Sequence, residues 1–273
     1  MRILSSRMSG ASLVLMAILS VVPVLPGTVK AAPFGARSDD LATQSDDTPT
    51  RKRARIRLEL AAAYFSQGNY PTALDEVKQV IAVDGSLSEA YELRGLIYSA
   101  MTEPKLAEES FRYALQLDGG NGSAMHNYAW MLCNQGRFAE ADALFAKAVN
   151  YPKSIDTGRT TLARGVCQTK AGLLPDAEKT LQHAFELAPA NPAAAYNMAN
   201  VLYLRGDYDR ARFYIRRVND VAERVTPDSL WLGVRIEQKL GNAPARDELA
   251  ATLRNRFPNS REAIALELGR FND

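Results

Sequence analysis

Residues 124–149 read AMHNYAWMLCNQGRFAEADALFAKAV, two short amphipathic helices on either side of Asn134-Gln135-Gly136-Arg137. Met125, Tyr128, Ala129 and Leu132 fall at i, i+3, i+4 and i+7, which is one face of an α-helix. Ala141, Leu144, Phe145 and Ala148 repeat that spacing downstream. Gly136 between them accepts the left-handed dihedrals with which a helix stops. Ala129, Ala141 and Ala148 keep the side chains small where the two helices come close.

The unit recurs. Turn glycines in register give Gly68-Asn69-Tyr70, Gly136-Arg137-Phe138, Gly172-Leu173-Leu174 and Gly206-Asp207-Tyr208, and five residues beyond each stands Ala73, Ala141, Ala177 or Ala211. Ala107 holds that place in a copy whose turn, Thr102-Glu103-Pro104, has no glycine. The copies run 54–87, 88–121, 122–157, 158–191, 192–225 and 226–259, a period of 34 with two extra residues in the third. The sixth is weaker, its glycine displaced to Gly241. With Tyr91-x-x-x-Gly95-x-x-Tyr98 and Ala107-x-x-x-Phe111-x-x-Ala114, the period resembles the tetratricopeptide repeat. Each helix pair leaves an apolar face open until a neighbour stacks on it, so the copies predict one all-α superhelix. Ser260 then caps a last helix through Ile264, Leu266 and Leu268, expected to lid the open face of the final repeat.

Upstream, Arg2 and Arg7 precede an apolar run from Ala11 to Val22 with Pro23 after it, and Val29-Lys30-Ala31 offers a cleavage site. Residues 1–31 are therefore read as a secretory signal peptide, with an uncleaved anchor as the alternative. The run is shorter than the roughly 20 residues a bilayer crossing needs. Residues 32–50 are polar and aperiodic, a disordered tether. The repeat domain spans 51–270 and is expected in the periplasm. Removing 1–31 takes away Arg2, Arg7 and Lys30 and no acid, leaving 30 basic against 31 acidic residues. That balance argues against a nucleic-acid-binding surface.

Thr48-Pro49 predicts the first helix start, with threonine as cap and proline at the first helical position. Arg51, Lys52, Arg53, Arg55 and Arg57 follow at once. Cations at a helix N-terminus oppose its dipole, so the run is expected to do little for the fold. It reads as a solvated face, or as a contact for an acidic partner or an anionic membrane surface.

No residue pattern suits catalysis, a metal or a cofactor. The two histidines, His126 and His183, have no cysteine or acid at ligand spacing, and there is no Gly-rich phosphate loop or Gly-x-Ser-x-Gly elbow. The two cysteines, Cys133 and Cys167, stand one period apart on the first helices of adjacent repeats. In an exported chain an even count favours a disulfide, with two buried thiols as the alternative. By register, the inner face of the superhelix receives Phe65, Leu96, His126, Trp130, Tyr196, Asn200 and Tyr203, among others. An aromatic groove with amide donors suits a peptide, unless these side chains only complete interhelical packing.

Several local strings go beyond the generic repeat. They are Asn127-Tyr128-x-x-x-Leu132-Cys133-x-Gln135-Gly136-Arg137, Gly165-x-Cys167-x-x-x-Ala171-Gly172, Ser229-Leu230-Trp231-Leu232 leading to Arg235-Ile236-Glu237 and Leu240-Gly241-Asn242, and Phe257-Pro258-x-Ser260-x-Glu262. Together they resemble the PilW/PilF family of type IV pilus biogenesis and stability proteins, over about residues 51–270. The resemblance implies a six-repeat protein that helps the outer-membrane secretin assemble and lets pili persist, and a bridge between Cys133 and Cys167; with no catalytic pattern in the chain, no enzymatic activity is expected. Members of that family are commonly acylated on a cysteine after the signal. Here no cysteine precedes Cys133, so the expectation is an unacylated periplasmic form that reaches the membrane through its partner. The competing reading is a general periplasmic adaptor, or a regulatory subunit for cell-wall enzymes.

Overall fold

The computed structural model describes residues 48–151 and 156–271. Residues 1–31, read above as a signal peptide, and most of the stretch 32–50, read as a polar tether, lie outside the described residues. Thr48 caps the first helix as expected, its Oγ1 accepting from the Arg51 N–H at 3.2 Å.

Six helix pairs follow in order: α1 (Pro49–Ser66) and α2 (Tyr70–Val83), α3 (Ser88–Ala100) and α4 (Pro104–Leu117), α5 (Gly122–Asn134) and α6 (Phe138–Ala148), α7 (Thr157–Lys170) and α8 (Leu174–Leu187), α9 (Pro192–Leu204) and α10 (Tyr208–Asn219), α11 (Pro227–Lys239) and α12 (Ala243–Arg256). A short α13 (Arg261–Glu267) closes the stack, and no strand occurs among the described residues. Each first helix lies against its own second helix, against the second helix of the preceding pair, and against the first helices on either side. The apolar faces are thus covered by neighbours in sequence, and the core runs the length of a superhelix.

Every pair turns in the same way. In the third, the Gly136 N–H donates to Cys133 O at 3.1 Å and the Arg137 N–H to Leu132 O at 2.9 Å. This paired return to the last helical turn requires a left-handed residue at its centre. Gly68, Gly136, Gly172, Gly206 and Gly241 supply it with φ between 69° and 81°. In the second pair Thr102 takes the place at φ 62°, held by the same bonds, its N–H to Ser99 O and the Glu103 N–H to Tyr98 O.

The seam between paired helices is built from small residues. Ala73, Ala107, Ala141, Ala177 and Ala211 are fully buried. A Cβ on Gly95 would lie 2.8 Å from the Phe111 ring, and one on Gly165 2.6 Å from Leu181 Cγ. The sixth pair lacks the matching alanine but buries Leu230, Trp231, Val234 and Leu253 instead.

The terminal helix meets the stack differently from expectation. Ala263 and Leu266 are its buried residues, whereas Ile264 and Leu268 point outward. At three residues apart Ala263 and Leu266 share one face, and the seven-residue helix covers the last pair with that face alone. Phe271 completes the lid by stacking on Trp231 with ring centroids 5.5 Å apart, and Arg235 Nε donates to Phe271 O at 3.0 Å.

Candidate partner-binding site

At the turn end of the second and third pairs, α3, α4 and α5 enclose a cavity of about 390 Å³. Leu96, Met131 and Pro104 give it apolar walls, and Asn127, Asn134 and Gln135 add amides. Trp130 also lines it and remains 37% exposed. The ring is held in place: Lys170 Nζ from α7 lies 4.9 Å from its centroid and donates to Asn134 Oδ1 at 3.0 Å. Asn127 is fixed in turn, donating from Nδ2 to Glu92 Oε1 at 2.8 Å. Burial raises the Glu92 carboxyl above its ordinary range, against the hydrogen bonds from Ser123, Asn121 and Asn127 that hold its charged form. Thr102 lines the same cavity, so the one left-handed non-glycine residue among the described residues stands at this site. An apolar hollow with a few placed amides accommodates a side chain and the backbone of a docked peptide.

The structure brings Leu96 and Trp130 of the expected groove together and distributes the others. Phe65 packs against Tyr70 in the first pair, ring centroids 5.7 Å apart. Tyr196, Asn200 and Tyr203 lie on α9. Tyr203 is buried, with the Arg235 guanidinium 4.7 Å over its ring, and Tyr196 is half-buried, its hydroxyl pushed up chiefly by burial.

His126 is a packed residue rather than an open groove residue. It is 6% exposed, its ring edge-on to Phe145, with Nδ1 3.1 Å from Thr160 Oγ1. That hydroxyl is also placed to donate to Asp156 O at 3.1 Å, which leaves Nδ1 as the donor to threonine. Burial, reinforced by Arg159 and opposed by Asp156, lowers the imidazole pKa to about 4, so the ring is neutral at pH 7.

Cys133 on α5 and Cys167 on α7 stand at disulfide distance, their Cα atoms 5.8 Å apart. Both side chains are buried.

The basic run lies at the surface, Lys52 and Arg53 exposed and the other three part-exposed, and it also makes ion pairs that its own sequence did not announce. Arg51 pairs with Asp84 at 3.8 Å, Arg55 with Glu89 at 3.3 Å and Arg57 with Glu76 at 3.1 Å, and Arg57 also contacts Gln79. Three of the five cations therefore tie α1 to acids of the next two helices or the turn between them. Each such pair is worth at most about 1 kcal/mol at this exposure, but together they reduce the charge offered to an anionic surface. Arg53 turns back to its own helix, Nε to Pro49 O at 3.3 Å.

Sequence reasoning missed Asn127, Asn134, Gln135 and the turn residues Thr102 and Pro104 as parts of the cavity. The available signal was the second repeat's turn, the one copy in which threonine and proline replace the usual glycine turn.

Helix pairs stacked in this manner, with a small-residue seam every 34 positions, define a tetratricopeptide-repeat protein. Tetratricopeptide repeat models match residues 54–79, 88–121, 122–150 and 168–225. The chain is 24% identical over 205 residues to the type IV pilus assembly protein PilF of Pseudomonas aeruginosa, covering 75% of this chain and 81% of that one. Among solved structures it is similar to PilW, a widely conserved type IV pilus biogenesis factor, at 30% identity and a TM-score of 0.73, covering 82% of this chain and 99% of PilW. The fold also matches that of the Pseudomonas aeruginosa PilF structure, at 24% identity and a TM-score of 0.70, over 80% of this chain and 99% of PilF. The chain belongs to the PilW/PilF family of type IV pilus tetratricopeptide-repeat proteins.

Proposed function

We propose that this protein is a non-catalytic periplasmic scaffold of type IV pilus biogenesis that assists assembly of the outer-membrane secretin and sustains the pilus. The likeness to PilW along 99% of that chain is the observation that carries the reading. The Trp130 cavity is the proposed grip. Its apolar walls receive a side chain of the partner, and the neighbouring amides bond the partner's backbone. The near-neutral charge balance of residues 32–273, 30 basic against 31 acidic, fits a protein partner better than nucleic acid. With three cations of the α1 run paired to surface acids of the same domain, we take the membrane to be reached through the partner rather than through this run.

Deletion of the gene tests the proposal directly. Loss of heat-stable secretin multimers and of twitching, both restored by the full chain supplied in trans, is the expected result. Multimers and twitching that persist undiminished would overturn it.

A further inference from the structure

Both ends of the stack leave apolar side chains open, where a solenoid ordinarily closes with polar surface. At the first end Ile56 is 67% exposed, and Leu60 and Ala63, four and seven residues on along the same face of α1, are exposed with it. At the last end α13 turns Ile264 and Leu268 outward, each more than half exposed. Beside them lies a hollow of about 320 Å³, walled by Pro258 and Ala263 and bounded by Arg254 and Glu267, which pair at 2.5 Å.

The repeat itself shows what meets such a face of a first helix. Ala90, Ala124, Thr160 and Ala194 hold the place of Ile56 in the next four pairs, Ile97 and Val201 hold that of Ala63 in the second and fifth, and all six are buried. The pair before buries them. Ala90 clusters with Ala54 and Val80, Ile97 with Ala73, Leu74 and Val77, and Val201 with Ala177 and Leu181. This face therefore packs on the C-terminal side of a preceding pair and not on its own counterpart. Among the described residues no pair precedes α1. Its residue at this place is also a bulky isoleucine where the inner joints use alanine or threonine, so the surface that receives it needs a hollow. The C-terminal end of the stack has one, lined by further apolar side chains.

We propose that the two ends belong together: α1 of one copy packs across α13 of a second copy of this chain, with Ile56 seated in the hollow beside Ile264 and Leu268, so that copies join head to tail. The joined surfaces differ, so the contact makes open rows of copies and not two-fold dimers. It shares no residue with the Trp130 cavity and does not depend on the partner held there. A row of copies then offers one such cavity per chain to a partner that is itself multimeric.

Sedimentation equilibrium of the full chain tests this. Its mass is expected to climb with concentration through the micromolar range. Ile56→Glu and Leu268→Glu change exposed positions and should keep the helical spectrum, and each variant should sediment as a single chain. Mixed in equal amounts, the two still supply one intact head and one intact tail, and they should form a species of two chains and nothing larger. A mixture that stays at one chain would overturn the proposal, as would a parent that is monomeric at every concentration. Association that survives in either variant alone would show a contact between like ends, or one elsewhere on the molecule, and would overturn it too.

Discussion

Thr102 occupies the place that Gly136 fills one repeat later and takes the same left-handed backbone, φ 62° against 78°. Outside glycine that conformation costs roughly 1–2 kcal/mol, because Cβ crowds the neighbouring carbonyl. Glycine loses more chain entropy on folding, which offsets part of the gain. Thr102→Gly is therefore expected to stabilise the protein by about 0.5–1 kcal/mol, read as a rise in the urea midpoint at unchanged slope.

The seam predicts the opposite response to added bulk. Gly165→Ala puts a methyl 2.6 Å from Leu181 Cγ, and both residues are buried on facing helices. The variant should lose roughly 1–3 kcal/mol through overpacking. Ala141→Leu should do the same in the third pair, while Ala139→Ser, on the exposed side of the same helix, should change stability little.

Joining Cys133 to Cys167 closes a loop of sequence separation 34. In the chain-entropy account such a closure contributes roughly 3–4 kcal/mol. The denatured, unreduced protein is expected to show no free thiol. The double Cys133→Ser, Cys167→Ser variant should unfold at correspondingly lower urea, and reductant should then have no further effect on it. Two thiols titrating in the unreduced parent would contradict the bridge.

His126 makes the third and fourth repeats sensitive to mild acid. Its folded pKa is about 4 against an ordinary 6.5, so the unfolded chain binds the proton first as pH falls. Its contribution is complete above pH 6.5 and lost progressively as pH drops toward 4, on the order of 2–3 kcal/mol in total. Urea midpoints at pH 7.0, 6.0 and 5.0 should fall more steeply for the parent than for His126→Gln. Parallel curves would show that the ring titrates normally.

Trp130→Ala should weaken capture of the secretin's periplasmic region by about thirtyfold, the roughly 2 kcal/mol of an aromatic hot spot. The ring is more than a third exposed, so thermal unfolding should barely move. Lys170→Ala, which frees the ring and Asn134, should give a smaller loss in the same direction. Capture unchanged in both variants would place the grip elsewhere on the scaffold.

The period, the turn glycines and the alanine seam were legible in the chain because each is a local requirement of one helix pair, repeated. The cysteine pair followed for the same reason, since one period of separation sets two residues on neighbouring first helices. Register was less informative about the site. It gives the direction in which a side chain leaves its own helix but not which neighbour covers it. His126 and Trp130 lie four residues apart on one helical stripe, yet Phe145 and Thr160 close over the first while the second stays open to solvent. The acids that meet Arg51, Arg55 and Arg57 come from later helices, so a reading confined to the basic run could not pair them.

A stack in which each pair touches only its neighbours deforms like a spring, with bending shared among its joints. Joining Cys133 to Cys167 removes one joint from that sharing. When a bound partner pulls the ends together or apart, the change in curvature must then be taken up on either side of the tie, by repeats one to three and four to six acting as separate arms. The oxidised chain should thus be measurably stiffer end to end than its serine variant, and it should transmit a tug received near the first repeat to the last with less give in between.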